Sequence, residues 1–118
     1  MHEIGIMQST LEVVRRQADA HGARQIARLV LRIGALSGVE PDALRFAFEV
    51  LAPNSIAAGS ALEIELVPAR AHCQKCRQGF TMEHSFILSC PQCGELSADV
   101  IQGRELELAR IDFFIQTP

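Results

Sequence analysis

The sequence predicts an α+β fold, a small α/β domain of two helices on a three-stranded sheet, with a short cysteine-bearing module inserted into it. Three observations predict it. Apolar residues recur at helical spacing near the start and again at residues 41–51, while residues 25–34, 62–66 and 105–113 alternate with a period of two. Two Cys-x2-Cys pairs then stand between the second and third alternating stretches, which makes them an insertion in the sheet.

The first helix runs from about Glu3 to His21. Ile4, Met7, Leu11, Val14 and Ala18 are spaced by three and four, so they share one face directed at the core, while Glu12, Arg15, Arg16 and Asp19 fall on the solvated side. Gly22 is placed to end it. In the first strand Ala27, Leu29, Leu31 and Ile33 point one way, and Arg28, Val30 and Arg32 point the other. A turn region at residues 34–38 leads to Glu40-Pro41-Asp42, where Pro41 suits the first helical position and Asp42 the positive helix end. The second helix then buries Leu44, Ala47, Phe48 and Leu51, and residues 52–60 form a loop of turn formers.

Leu62-Glu-Ile-Glu-Leu66 is a second strand, ending near Pro68. Glu105-Leu-Glu-Leu108 begins a third, in which Ala109, Ile111 and Phe113 continue the alternation on the opposite phase. The chain leaves the main sheet near residue 69 and returns near residue 99, so the expected division is residues 1–69 with 99–118 against residues 70–98.

With 48% hydrophobic residues in 118, the chain can build a core, which argues against global disorder. A formal charge of −3 disfavours a basic nucleic-acid or membrane-surface binder. Met1-His2-Glu3 opens no cationic, apolar leader, and no stretch reaches the roughly 20 apolar residues that span a bilayer. The expectation is a soluble, cytoplasmic protein. In that reducing setting, two close cysteine pairs point to metal binding rather than disulfides.

Cys73-x2-Cys76 and Cys90-x2-Cys93, separated by residues 77–89, have the spacing of a four-thiolate zinc site. Each tight turn aims two thiolates at one ion, and the two turns complete a tetrahedron with bonds of about 2.3 Å. Gly79 and Gly94, just beyond the pairs, suit those turns, and Phe80 and Phe86 would cover the site. Four thiolates leave no vacant position, so this zinc stabilises the module rather than performing chemistry, by something on the order of 10 kcal/mol. His72 and His84 read as surface loop residues rather than ligands. Lys75 and Arg77 are offset by Glu83 and Glu95, so the module lacks the basic face of a nucleic-acid-binding ribbon.

A histidine next to a chain terminus is ordinarily just a solvated side chain. At position 2, however, the terminal amine of Met1, the following backbone amides and the His2 imidazole can form small chelate rings, an arrangement that Cu(II) and Ni(II) favour. Glu3 offers an oxygen beside it. By contrast Ser9, Ser37 and the histidines form no nucleophile–base arrangement, and no phosphate-binding glycine loop is present, so an enzyme is not expected.

Met1-His2-Glu3, the amphipathic helix after it, Arg32-Ile-Gly-Ala-Leu-Ser37, Phe46-Ala-Phe-Glu49 and the paired knuckles, in that order, resemble the HypA/HybF family of hydrogenase nickel-incorporation proteins. The resemblance covers essentially the whole chain. It implies a nickel metallochaperone that delivers Ni(II) as cargo to the large subunit of [NiFe]-hydrogenase, in some organisms to urease, working with the GTPase HypB. Carried over by motif, the nickel residues are His2, Glu3 and the amine of Met1, and Glu40 matches an acidic position near nickel. In some members a histidine just after each cysteine pair is linked to pH-dependent changes at zinc. Gln78 and Gly94 occupy those neighbourhoods here, which puts such a switch in doubt. The competing expectation is a zinc-stabilised adaptor that carries no metal cargo.

Overall fold

The computed structural model describes residues 2–82 and 88–114. Met1, Glu83, His84 and Phe86, which carry expectations above, lie outside the described residues. In chain order the elements are α1 (Glu3–Ala20), β1 (Ile26–Gly34), α2 (Pro41–Leu51) followed by a 3-10 turn, β2 (Ala61–Val67), β3 (Arg70–Cys73), β4 (Gln78–Thr81), β5 (Val100–Gln102) and β6 (Leu106–Phe113). The strands form two sheets, ordered β2-β1-β6 and β4-β3-β5. Two compact units result, one of residues 1–32, 39–65 and 107–118, the other of residues 33–38 and 66–106.

In the first unit α1 buries Met7, Leu11, Val14 and Ala18, the expected stripe. Ile4 departs from it at 44% exposed, because the stripe's first residue sits in the opening helical turn. Gly22 ends the helix at φ +66°, where the Ala23 N–H reaches back to the carbonyl of Ala18 (2.8 Å) and the Gly22 N–H to that of Asp19 (3.2 Å). That pair of bonds satisfies carbonyls which the helix end would leave orphaned, and the left-handed conformation they require is one glycine adopts without strain. Against α1 packs α2, which buries Leu44, Ala47 and Phe48 with Pro41 in its first turn. Its Glu40 cap accepts a hydrogen bond from the Asp42 N–H at 3.5 Å.

β1 holds the centre of its sheet and buries Leu29, Leu31 and Ile33 as alternation requires. Val30 is buried too, although it lies on the arginine side. Arg28 and Arg32 flank it and pair with Glu63 and Asp112, and with Glu65 and Glu107. Burial along β6 passes from Leu108 to Ile111, three residues on, so its alternation changes phase as the sequence indicates.

The second unit shows why a glycine stands at position 34. A methyl group there would lie 2.0 Å from the carbonyl oxygen of Gly103 and 2.7 Å from the amide nitrogen of Arg104. Backbone occupies that space because the Gly34 N–H bonds the carbonyl of Glu105 (2.8 Å) and the Leu36 N–H that of Gly103 (2.6 Å). β3 pairs antiparallel with both β4 and β5, and Ala71, Cys73 and Phe80 point to one side, where with Cys90 they form a small core. β5 falls beyond residue 98, where the module was expected to end, and pairs with β3. His72 is a strand residue in register with Gly79, not a loop residue, because the short β3 carries the chain into the first knuckle.

Candidate metal centres

Two knuckle turns bring Cys73, Cys76, Cys90 and Cys93 together. Their sulfurs all lie within 4.8 Å of one another, and among the described residues no other group of three or more His, Cys, Asp or Glu side chains converges in this way. The Cys73 and Cys93 sulfurs are 3.6 Å apart and those of Cys76 and Cys90 3.9 Å. A disulfide needs about 2.05 Å. The edge of a tetrahedron with zinc–sulfur bonds of about 2.3 Å is about 3.8 Å. The donor set therefore fits a structural zinc ion with little rearrangement.

The turns themselves are alike. The residue after each pair adopts a left-handed conformation, Arg77 at φ 55° and Gly94 at φ 77°. Gly79 does not serve the first turn as expected. It lies in β4, and the turn closes two residues earlier on Arg77, which tolerates a conformation that glycine would adopt more cheaply. Backbone donors face the sulfurs, with the Cys76 N–H 3.4 Å from the Cys73 sulfur. Phe80 packs in the core beside Cys73 and Cys90, with Met82 and Leu88 against it, so apolar contacts cover the site as expected of Phe80. His72 is not part of the cluster; it alternates with Cys73 along β3, and its own carbonyl accepts from Ser97 Oγ (2.5 Å).

Four thiols so close cannot all ionise without a cation, and their acidities separate accordingly. The Cys90 thiol is pulled down to about 7, chiefly by the Cys93 backbone N–H and then by that of Gln92. Cys76 is pushed up to about 12, chiefly through its hydrogen bond with the Cys93 sulfur and then by desolvation. A dication supplies the missing positive charge and displaces the protons that these thiols retain.

The amino-terminal end is built differently. His2 caps α1 and is exposed; its carbonyl accepts from the Ile6 N–H (3.0 Å), while its ring makes no capping bond. Glu3 is the first helical residue, and its Oε2 accepts from the Glu40 backbone N–H at 3.2 Å. This bond is the largest cause holding the Glu3 carboxyl below the usual carboxylate range. Glu3 and Glu40, far apart in the chain, are thus brought together where the two helices begin. Sequence reasoning did not supply this bond, because it depends on the packing of α1 against α2. Side chains alone make no chelate at this end among the described residues, and the terminal amine lies outside them.

Comparison with known proteins agrees over the whole chain. A family model described as hydrogenase/urease nickel incorporation metallochaperone, HypA, matches residues 1–113. Among curated relatives, the hydrogenase maturation factor HypA of Acidithiobacillus ferrooxidans is 40% identical over 112 residues, covering 95% of this chain and 98% of that protein. The hydrogenase maturation factor HybF of Klebsiella pneumoniae is 33% identical over 113 residues, with coverage of 95% and 98%. The solution structure of the Ni metallochaperone HypA from Helicobacter pylori shares the fold, with a TM-score of 0.66 at 24% identity over 98% of this chain and 100% of that one. A second HypA solution structure matches at 26% identity with the same TM-score, covering 97% of each chain.

Proposed function

The chain belongs to the HypA family of nickel-incorporation metallochaperones, and from that premise we propose that it holds Ni(II) at its amino terminus through the Met1 amine, His2 and the backbone amides beside it. The observation that carries the reading is where α1 begins. A helix leaves its first N–H groups without intrahelical partners, so with His2 as cap the amides of His2 and Glu3 lie outside the α1 ladder. Ni(II) can displace their protons without breaking a helical bond, and the exposed His2 ring completes small chelate rings in the nitrogen-rich geometry that nickel prefers. Glu3 and Glu40 supply carboxylate oxygens beside this site, with Glu3 tied to the start of α2.

The family is one of maturation chaperones rather than enzymes, so the cargo must leave as well as bind. Zinc held by Cys73, Cys76, Cys90 and Cys93 stabilises residues 70–98, while residues 1–69 with 99–118 carry the nickel. We place the GTPase HypB and the large subunit of [NiFe]-hydrogenase among the partners, with urease maturation as a second destination, and the cytoplasm as the setting. No helix among the described residues is long and apolar enough to cross a membrane. The competing adaptor without metal cargo is not favoured, since the match to a nickel-incorporation family extends over residues 1–113.

The terminal amine gives a direct test. An N-terminal extension converts it to an amide, so tagged protein should lose most of its nickel affinity and recover it when protease cleavage restores Met1. Equal affinity before and after cleavage would remove the amine from the site.

A further inference from the structure

Every ion pair among the described residues lies in the first unit, where Arg15, Arg16, Arg28, Arg32, Arg45 and Arg110 all have carboxylate partners. Arg70 in the second unit has none among the described residues. Its Nε is buried without a hydrogen-bond partner, the one such side-chain atom among the described residues. A buried guanidinium N–H without a partner is a donor left unsatisfied.

The surroundings show how the guanidinium is held. Ala71, Cys73 and Phe80 take one face of the β4-β3-β5 sheet, so alternation leaves Arg70, His72, Gly79, Thr81 and Gln102 on the other. The guanidinium lies over Gly79, where a methyl group would come 2.8 Å from Nη2 of Arg70 and 3.2 Å from Cδ1 of Ile101. Glycine at 79 is therefore the space that the cation occupies. Ile101 beside it is 54% exposed, Thr81 is exposed, and the Gln102 amide is engaged with the carbonyl of Pro68 (2.9 Å). No described carboxylate reaches the cation from β3, β4 or β5.

We propose that this sheet face, centred on Arg70, docks an acidic segment of a partner protein, with one carboxylate on the Arg70 guanidinium and an apolar neighbour on Ile101. Charge complementarity selects the occupant. A planar fork without a counter-charge among the described residues matches a carboxylate bidentately, and an exposed isoleucine against it favours a ligand with apolar surface over a small free anion. β4 and β5 are the outer strands of this sheet, so an extended segment has room alongside it.

The test uses the full zinc-loaded chain labelled with nitrogen-15. A synthetic peptide of alternating Glu and Val is titrated in, with a Lys and Val peptide and sodium acetate as controls. Burial slows exchange of the Arg70 Nε–H, which makes its resonance a direct reporter. The acidic peptide should shift that signal saturably together with the amides of Gly79, Thr81 and Ile101. Arg70→Gln should weaken binding roughly tenfold or more, in line with a charged hydrogen bond. Arg70→Lys should not restore it, because an ammonium lacks the fork. Gly79→Ala, which evicts the guanidinium without removing charge, should weaken binding with zinc content unchanged, and it serves if Arg70→Gln does not fold. Absence of a saturable shift, undiminished binding by both Arg70→Gln and Gly79→Ala, or an equal response to acetate or to the Lys peptide would overturn the proposal.

Discussion

Gly34→Ala is the substitution whose cost the structure makes most explicit. The added methyl would lie 2.0 Å from the Gly103 carbonyl oxygen and 2.2 Å from its carbon, and both are backbone atoms with no rotamer in which to escape. The backbone must part, which strains the bonds from Gly34 N–H to Glu105 and from Leu36 N–H to Gly103. Overpacking costs roughly 1–3 kcal/mol and each lost bond about 1 kcal/mol, so the expected destabilisation is about 3–5 kcal/mol. That is a large part of the roughly 5–15 kcal/mol that holds a typical domain together. With a urea slope of about 1.5 kcal/mol per molar, the unfolding midpoint should fall by about 2–3 M. Zinc is kept saturating throughout, so that only packing changes. Gly22→Ala is the control: no heavy atom lies within 4 Å of the added carbon, but φ is +66°, so only a strain of about 1 kcal/mol is expected. A midpoint shift for Gly34→Ala no larger than that for Gly22→Ala would refute the close-approach argument.

Chelating the zinc should abolish amide protection across residues 70–98 before it falls in α1 and α2, whose buried stripes do not depend on the metal; hydrogen exchange showing simultaneous loss in both would contradict this. Zinc uptake by the metal-free protein at neutral pH should release protons, because the Cys76 thiol is pushed up to about 12 by its sulfur neighbours and burial and so keeps its proton, and calorimetry in buffers of different ionisation enthalpy measures them; buffer-independent heats would count against it. The Asp112 carboxyl is held below its usual value, chiefly by Arg110 and then by Arg28. Its contribution to stability is therefore full above the unfolded-state value and lost as pH falls through the folded one. Asp112→Asn should accordingly be less stable than wild type at neutral pH, and the two should converge as the pH falls below that folded-state value in urea melts.

The long elements were legible because each buries a continuous stripe: Met7, Leu11, Val14 and Ala18 on α1, and Leu44, Ala47 and Phe48 on α2. The convergence of the four cysteines was legible from spacing alone, since two tight turns leave the thiols few other arrangements. The sheet around them was not. β3 and β4 have four residues each and β5 three, too short for a period of two to stand out, and their pairing is set by the knuckles rather than by an apolar pattern. Spacing also favoured Gly79 for a turn that Arg77 makes, because a glycine signals permissiveness without saying whether a turn or a neighbouring side chain uses it. At the amino terminus His2 and Glu3 could be singled out by position, but the link from Glu3 to the Glu40 N–H exists only once the helices pack.

Nickel titration by calorimetry of untagged wild type and His2→Ala, with zinc measured in both, bears most directly on cargo binding at the terminus. The account predicts that wild type binds nickel, that the variant loses this binding, and that both retain one zinc per chain. Undiminished nickel uptake by His2→Ala would contradict it.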